Sequence, residues 1–277
     1  MSGLDQARIA VIKVGGDMLL KEGERQGLAN NVKDLTDAGW QCVLLHGGGP
    51  QLNRLQNLHG LEPQKVDGRR ITSEDDLLVV KQALCGEVNV DLVSALLAAG
   101  LPAFGCHGAS GLLIEAQKRP PVDCGSHGLI DFGEVGDVVS INTDLLQNLL
   151  SADLIPVLAS LGVSRDGRIF NINADTTVAA IARALKADLL ILCTAIGGIY
   201  HDVSDAQSRL PELTPSLAAQ LIQDGTIRDG MIPKVQEALA LLDQGVARIA
   251  ISNAAQAGGF LDIANGHGRC GTQLVAD

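Results

Sequence analysis

Lys13 lies in the apolar run from Ile9 to Val14, and Gly15 and Gly16 follow it at once; His46 ends a second apolar run and leads into Gly47-Gly48-Gly49-Pro50. Glycine lacks a Cβ, so the main chain can come close to an anion, and N–H groups opening the next helix point at phosphoryl oxygens. Downstream, Asn171-Ile172-Asn173-Ala174-Asp175 and Gly230-Met231-Ile232-Pro233-Lys234 place a carboxylate and a second lysine at helix starts. Two glycine loops behind strands, with one lysine beside the first and another far downstream, point to phosphate chemistry. They are not a Walker loop, because G-x-x-x-x-G-K-[ST] is absent.

Each residue has its own reading. A lysine at the carboxyl edge of a parallel strand, as Lys13 is placed, faces the crevice where such sheets bind ligands. Gly47, Gly48 and Gly49 bring only backbone, and each adds unfolded-state entropy of roughly 0.5–1 kcal/mol relative to alanine, more than a turn requires, so they read as an oxyanion cradle. His46 reads as a group orienting that loop or as an ordinary buried histidine. Any one of Asn171, Asn173 and Asp175 reads as a helix cap, but not all three together. Asp175 is then expected to hold Lys13 and Lys234 in register without touching the reacting bond. Lys234 opens a helix, where dipole and ammonium both attract phosphate. Arg70, in Asp67-Gly68-Arg69-Arg70-Ile71-Thr72, has the fork that clamps a carboxylate, whereas Arg69 is expected to pair with the acidic helix that follows.

Composition removes other classes. A net charge of −11 argues against a nucleic-acid surface, and 2% aromatic content leaves little to stack bases on. Six scattered cysteines, Cys42, Cys85, Cys106, Cys124, Cys193 and Cys270, show no C-x-x-C or zinc-ligand spacing, so free thiols in a reducing cytoplasm are expected and no protein-held metal. No apolar run is long enough to span a membrane, and the first residues do not form a secretory leader.

Stepping from the loops to what must hold them, strand-type runs at 9–14, 42–45, 102–105, 155–158, 169–171, 189–192 and 248–251 alternate with helical periods. Those periods cover 25–38, 51–58, 90–99, 174–185, 215–224 and 231–244, with a further helix capped by Thr72 or Ser73. The glycine-rich stretch 108–140 predicts a hairpin or flap over a site, and Arg165-Asp166-Gly167 a turn. The expected fold is α/β, an open αβα sandwich with a mainly parallel central sheet in two lobes, 1–172 and 173–277, which share one continuous sheet or pack closely.

Taken in order, Lys13-Val14-Gly15-Gly16, His46-Gly47-Gly48-Gly49-Pro50, Gly68-Arg69-Arg70-Ile71-Thr72, Gly133-Glu134-Val135-Gly136-Asp137-Val138-Val139, Asn171-Ile172-Asn173-Ala174-Asp175 and Gly230-Met231-Ile232-Pro233-Lys234 resemble the hallmark segments of the amino acid kinase family, over nearly the whole chain. The resemblance is greatest to members that phosphorylate N-acetyl-L-glutamate in arginine biosynthesis. It implies ATP with Mg2+ held through the nucleotide, and an acyl phosphate product. It implies that Lys13 and Lys234 stabilise the transferred phosphoryl group, that Asp175 organises them, and that Gly15, Gly16, Gly47, Gly48 and Gly49 contact phosphate. Arg70 would take the acceptor's α-carboxylate, and Asn171 its acetamido group, with Gly48 close by. The N-terminal lobe would bind the amino acid and form a homodimer, and the C-terminal lobe would bind nucleotide. Only Met1–Arg8 precede the first strand, which implies neither arginine feedback nor a hexameric ring. Where the family usually has Thr-Asp, this chain has Thr194-Ala195. Two alternatives stay open: a kinase for a related acceptor such as carrier-linked aminoadipate, and a ligand sensor without catalysis.

Overall fold

A computed structural model describes residues 7–228, 231–242 and 246–277, without the side chains of 233, 234 and 237. In chain order the elements are β1 (Arg8–Val14), α1 (Glu22–Asp37), β2 (Trp40–His46), α2 (Gly49–Leu58), the short pair β3 (Lys65–Val66) and β4 (Arg69–Arg70), and α3 (Glu74–Lys81). A π-helical turn, Gln82–Val88, runs α3 into α4 (Asn89–Ala98), followed by β5 (Ala103–His107), β6 (Ile114–Lys118), β7 (Val122–Asp123), β8 (Leu129–Ile130), β9 (Val135–Ile141) and α5 (Thr143–Ser151). Then come β10 (Ile155–Ala159), β11 (Leu161–Val163), β12 (Ile169–Ile172), α6 (Ala174–Leu185), β13 (Leu189–Cys193), β14 (Ile199–Tyr200), β15 (Arg209–Leu210), β16 (Glu212–Leu213) and α7 (Pro215–Gln223). The chain finishes with α8 (Met231–Leu242), β17 (Ile249–Ser252), α9 (Gly259–Ala264) and β18 (Thr272–Leu274). The expected helix end at 244 lies outside the described residues.

Eight strands form one sheet in the order β16-β18-β17-β13-β1-β2-β10-β5. Every neighbouring pair is parallel except β17 with β18. Parallel strands are covered on both faces, which is why β1 and β2 read as unbroken apolar runs. Side chains alternate. Ala10, Ile12 and Val14 pack with Leu28, Val32 and Leu35 of α1 and Leu92 and Leu96 of α4, while Val11 packs on the other face with Val178, Ile181 and Leu185 of α6. The same alternation puts Lys13 on the α6 face. This is the open αβα sandwich, and its sheet runs without a break from the N-terminal strands into the C-terminal ones, meeting at β1 and β13.

The stretch 108–140 is not a free hairpin. Strands β6 and β9 pair antiparallel and close with β11 and β12 into a small four-stranded barrel. A bridge between Thr72 and Gly133 fastens it to the start of α3. That helix begins with a capping box: Ser73 accepts from Asp76 N, and the Asp76 carboxylate accepts from Ser73 N. Among the described residues no helix is long and apolar enough to cross a membrane. All six cysteines are free.

Candidate active site at the strand ends

Lys13 ends up buried, 7% exposed, beside Leu45 of β2 and Leu192 of β13 at the carboxyl ends of the central strands. Its Nζ is 2.8 Å from Asp175 Oδ1, in the first turn of α6. Asn173 is the cap of α6, its side-chain oxygen accepting from Asp175 N and Thr176 N. Asn171 points elsewhere and donates from Nδ2 to Thr72 Oγ1 at 3.0 Å. One of the three polar residues is a cap, and the other two are left for other work.

The two glycine loops lie against each other. Gln51 Nε2 donates to Gly16 O at 2.8 Å, and a Cβ on Gly16 would meet Gly48 Cα at 2.6 Å and Gly49 N at 2.8 Å. A Cβ on Gly48 would meet Leu84 Cδ2 at 2.6 Å. Packing alone therefore demands glycine at 16, where the obstacle is backbone, while at 48 the obstacle is a side-chain tip. Around Gly49 there is open space. Gly47 N donates to Val14 O at 3.0 Å, which ties loop to loop, whereas the N–H groups of Gly15, Gly16, Gly48 and Gly49 have no partner among the described residues. Four unpaired donors, at the start of α2 and of the short 3-10 turn Gly16–Leu19, attract an anion.

Beside this floor opens a cleft of about 250 Å³ lined by Gly47, Gly48, Gly49, Asn171 and Ala174 together with Lys65, Arg69, Arg70 and Arg119. Among the described residues no acidic one lines it. In a chain of net charge −11 this is a local concentration of positive charge, which focuses an anionic ligand. Arg70 is held from behind, donating to Gln56 Oε1 and Asn53 Oδ1 of α2, and Gln56 in turn donates to Asp76. Burial lowers the Arg70 guanidinium from its ordinary value, with the charge of Asp76 opposing. Asp76, although burial works against its charge, is held below the usual carboxylate range by Ser73, Gln56 and Arg70. It is thus Arg70 that feels the acidic helix. Arg69 makes no ion pair among the described residues and lines the cleft with Arg70, contrary to the expected division of labour.

Cys193, across the register from Val14, lines a small recess with Lys13, Asp175 and Thr194. Burial pushes its thiol up to about 12, which makes it an inert wall. Lys234 belongs to α8 by its backbone, but its side chain, like Gly230, lies outside the described residues. Lys65, Arg119 and Ser160 are cleft residues that sequence reasoning did not single out. Arg119 is aimed by Asp137, which accepts from both Nε and Nη2, and the segment Gly133–Asp137 held the only hint of this.

The model of the amino acid kinase family matches residues 8–253. The chain belongs to that family. An acetylglutamate kinase of an Anaeromyxobacter species is 40% identical over 267 residues, 96% of this chain and 98% of that one. A solved Streptococcus mutans structure has 31% identity and a TM-score of 0.78, covering 97% of this chain and 99% of that one. The N-acetylglutamate synthase of Neisseria gonorrhoeae, solved with coenzyme A and N-acetyl-glutamate, has 25% identity and a TM-score of 0.79 over 98% of this chain, which spans 60% of that longer protein.

Proposed function

We propose that this chain transfers the terminal phosphoryl group of ATP to the side-chain carboxylate of N-acetyl-L-glutamate. The observation that carries the reading is the ion pair of buried Lys13 with Asp175, the neighbour of Ala174, which lines a cleft with four cationic side chains beside unpaired main-chain donors. Near-full-length similarity to acetylglutamate kinases supports the choice of acceptor and favours neither the aminoadipate alternative nor a sensor without catalysis.

The chemistry explains why such a site needs no general base. A glutamyl carboxylate has a pKa of about 4.3 and is already a nucleophile at neutral pH. What opposes reaction is repulsion between two anions. Lys13, with Lys234 proposed beside it, would take the charge of the transferred group. The N–H groups of Gly15, Gly16, Gly48 and Gly49 would hold its oxygens, and Gly47 keeps that floor together. Asp175 aims Lys13 and takes no proton. Arg70 would bind the α-carboxylate of the acceptor, and Asn171, already near Thr72, its acetamido group. Mg2+ would bind through the nucleotide phosphates and offset their charge; the unpaired donors and Lys13 suit a polyphosphate rather than a bare metal.

In this reading residues 1–172 bind the acceptor and residues 173–277 the nucleotide, in a reducing cytoplasm. The N-terminal part would also dimerise, since β5 is an edge strand and carries Phe104 with 42% of its surface exposed, and α4, packed on the same strand, exposes Val90 and Leu97. Purified protein given Mg-ATP with N-acetylglutamate, glutamate or aminoadipate, and trapped with hydroxylamine, tests the activity. Acyl hydroxamate is expected from N-acetylglutamate alone, and its absence there removes the proposal. Sedimentation at micromolar concentration tests the dimer.

A further inference from the structure

His46 is fully buried at the end of β2, and its ring meets two partners. Asn89 Nδ2 lies 2.9 Å from His46 Nε2 and 2.9 Å from Val157 O. A carbonyl only accepts, so the Asn89 atom between them is the amide nitrogen, a donor to both. Nε2 therefore accepts, and the ring proton sits on Nδ1, 3.1 Å from Gly47 O. The Gly47 carbonyl and the Gly48 N–H belong to one planar peptide and point opposite ways. A histidine that holds the carbonyl thereby aims the Gly48 N–H away from the core.

The fold makes room for this chain of contacts. Asn89 is the first residue of α4 after the π-helical turn, and a Cβ on Gly105 of β5 would overlap its Oδ1. Leu84 and Val88 of the same turn press on the other side of Gly48, at 2.6 and 3.1 Å from where its Cβ would be. Single π turns inside α-helices recur at functional sites. Here the turn brings two side chains against the glycine loop and an amide to the histidine behind it.

We propose that Asn89 and His46 are positioning residues for phosphoryl transfer: Asn89 fixes the Nδ1–H tautomer of His46, and His46 fixes the Gly47–Gly48 peptide that faces the transferred group. The inference rests on the kinase reading for its catalytic consequence, while the tautomer stands or falls alone. A buried imidazole kept neutral, with its pKa lowered to about 4 by burial, suits this role and not proton transfer.

The test has two arms. Long-range 1H–15N spectra of protein labelled at histidine nitrogen, with His46→Asn for assignment, are expected to show His46 as Nδ1–H at neutral pH. Steady-state kinetics are expected to show kcat reduced about 10–100-fold in His46→Leu and Asn89→Leu with the acceptor KM little changed, as when a catalytic group is misplaced by about 1 Å. His46→Asn keeps an amide donor at the δ position and is expected to recover most of the loss. An Nε2–H tautomer in the wild type, an unchanged kcat in His46→Leu, or a His46→Asn variant as impaired as a folded leucine variant overturns the proposal. Should His46→Leu not fold, the tautomer and the asparagine variant decide. Wild-type protein that makes no acyl phosphate would instead remove the kinase reading, and the spectra would then judge the tautomer by itself.

Discussion

Lys13 Nζ lies 2.8 Å from Asp175 Oδ1, joining the carboxyl end of a central strand to the amino end of a helix. The ammonium is 9% exposed and the carboxylate 28%. Such a pair fixes a cation in place, so that under the proposed function it would meet a phosphoryl group without searching for it.

Removing either partner tests this. Lys13→Ala is expected to lower kcat by about 10²–10³, the cost of losing one preorganised donor, with the far-ultraviolet circular dichroism unchanged. Asp175→Asn is expected to lose less, because the lysine stays but is no longer aimed. A kcat within a factor of two of wild type in both variants would rule out the role proposed for the pair.

Arg70 offers a prediction of opposite kinetic character. Its guanidinium touches Asn53 and Gln56 and lies far from Lys13 in role, so Arg70→Ala is expected to raise the acceptor KM by about 10–100-fold, the loss of a charge-assisted contact worth ~1.5–3 kcal/mol, with a smaller change in kcat. Initial rates at varied acceptor concentration measure the split. A kcat effect without a KM effect would assign Arg70 to the chemical step.

Two glycines of the same floor are expected to behave differently. Gly16→Ala drives a methyl group into the Gly48 and Gly49 backbone, so it should destabilise the fold by about 1–3 kcal/mol, roughly 2–4 °C of melting temperature for each kcal/mol. Gly49→Ala meets no neighbouring atom, so its melting temperature should hold while the KM for ATP rises about tenfold, or ~1.4 kcal/mol of lost phosphate approach. Calorimetry and nucleotide titration separate the packing glycine from the binding one; equal melting temperatures for the two variants would contradict the geometry.

Acid stability follows from His46. Burial holds its pKa at about 4 against 6.5 in an open chain. The unfolded chain takes up the proton first as pH falls, so this contribution is complete above pH 6.5 and is lost on the way down to about 4. At pH 5 the loss is about 2 kcal/mol. Urea unfolding of the wild type and His46→Asn at pH 7 and pH 5 is expected to show a smaller pH effect in the variant by about that amount. An equal pH effect in both would mean that His46 is not the group responsible.

Much of the site was legible in the residues because its signals are local. An apolar run ending in Lys13 and two glycines is a strand followed by a turn whatever lies around it, and Asn173 with Asp175 marks a helix start through its own main-chain bonds. The parallel order of the main strands follows from their alternation with helices. The closing of β6, β9, β11 and β12 into a barrel was not legible, since short strands carry no mark of which partner they choose.

Side-chain partners were decided by tertiary packing. Arg69 and Arg70 are the same residue type at adjacent positions and both line the cleft, yet only the seat of β4 against α2 gave Arg70 the Asn53 and Gln56 side-chain oxygens, while Arg69 makes no ion pair among the described residues. Gly48 looked like a concession to a ligand, yet the Leu84 side chain also presses on it. Asn89 carried no signal at all, because its bond to His46 exists only where a π-helical turn and the gap at Gly105 meet. What the amino-acid sequence determined alone is which residues bear charge, which lack a side chain and where the backbone must turn. What only the folded chain decided is which of them touch, since contact across distant segments depends on the volume and shape of everything packed between them.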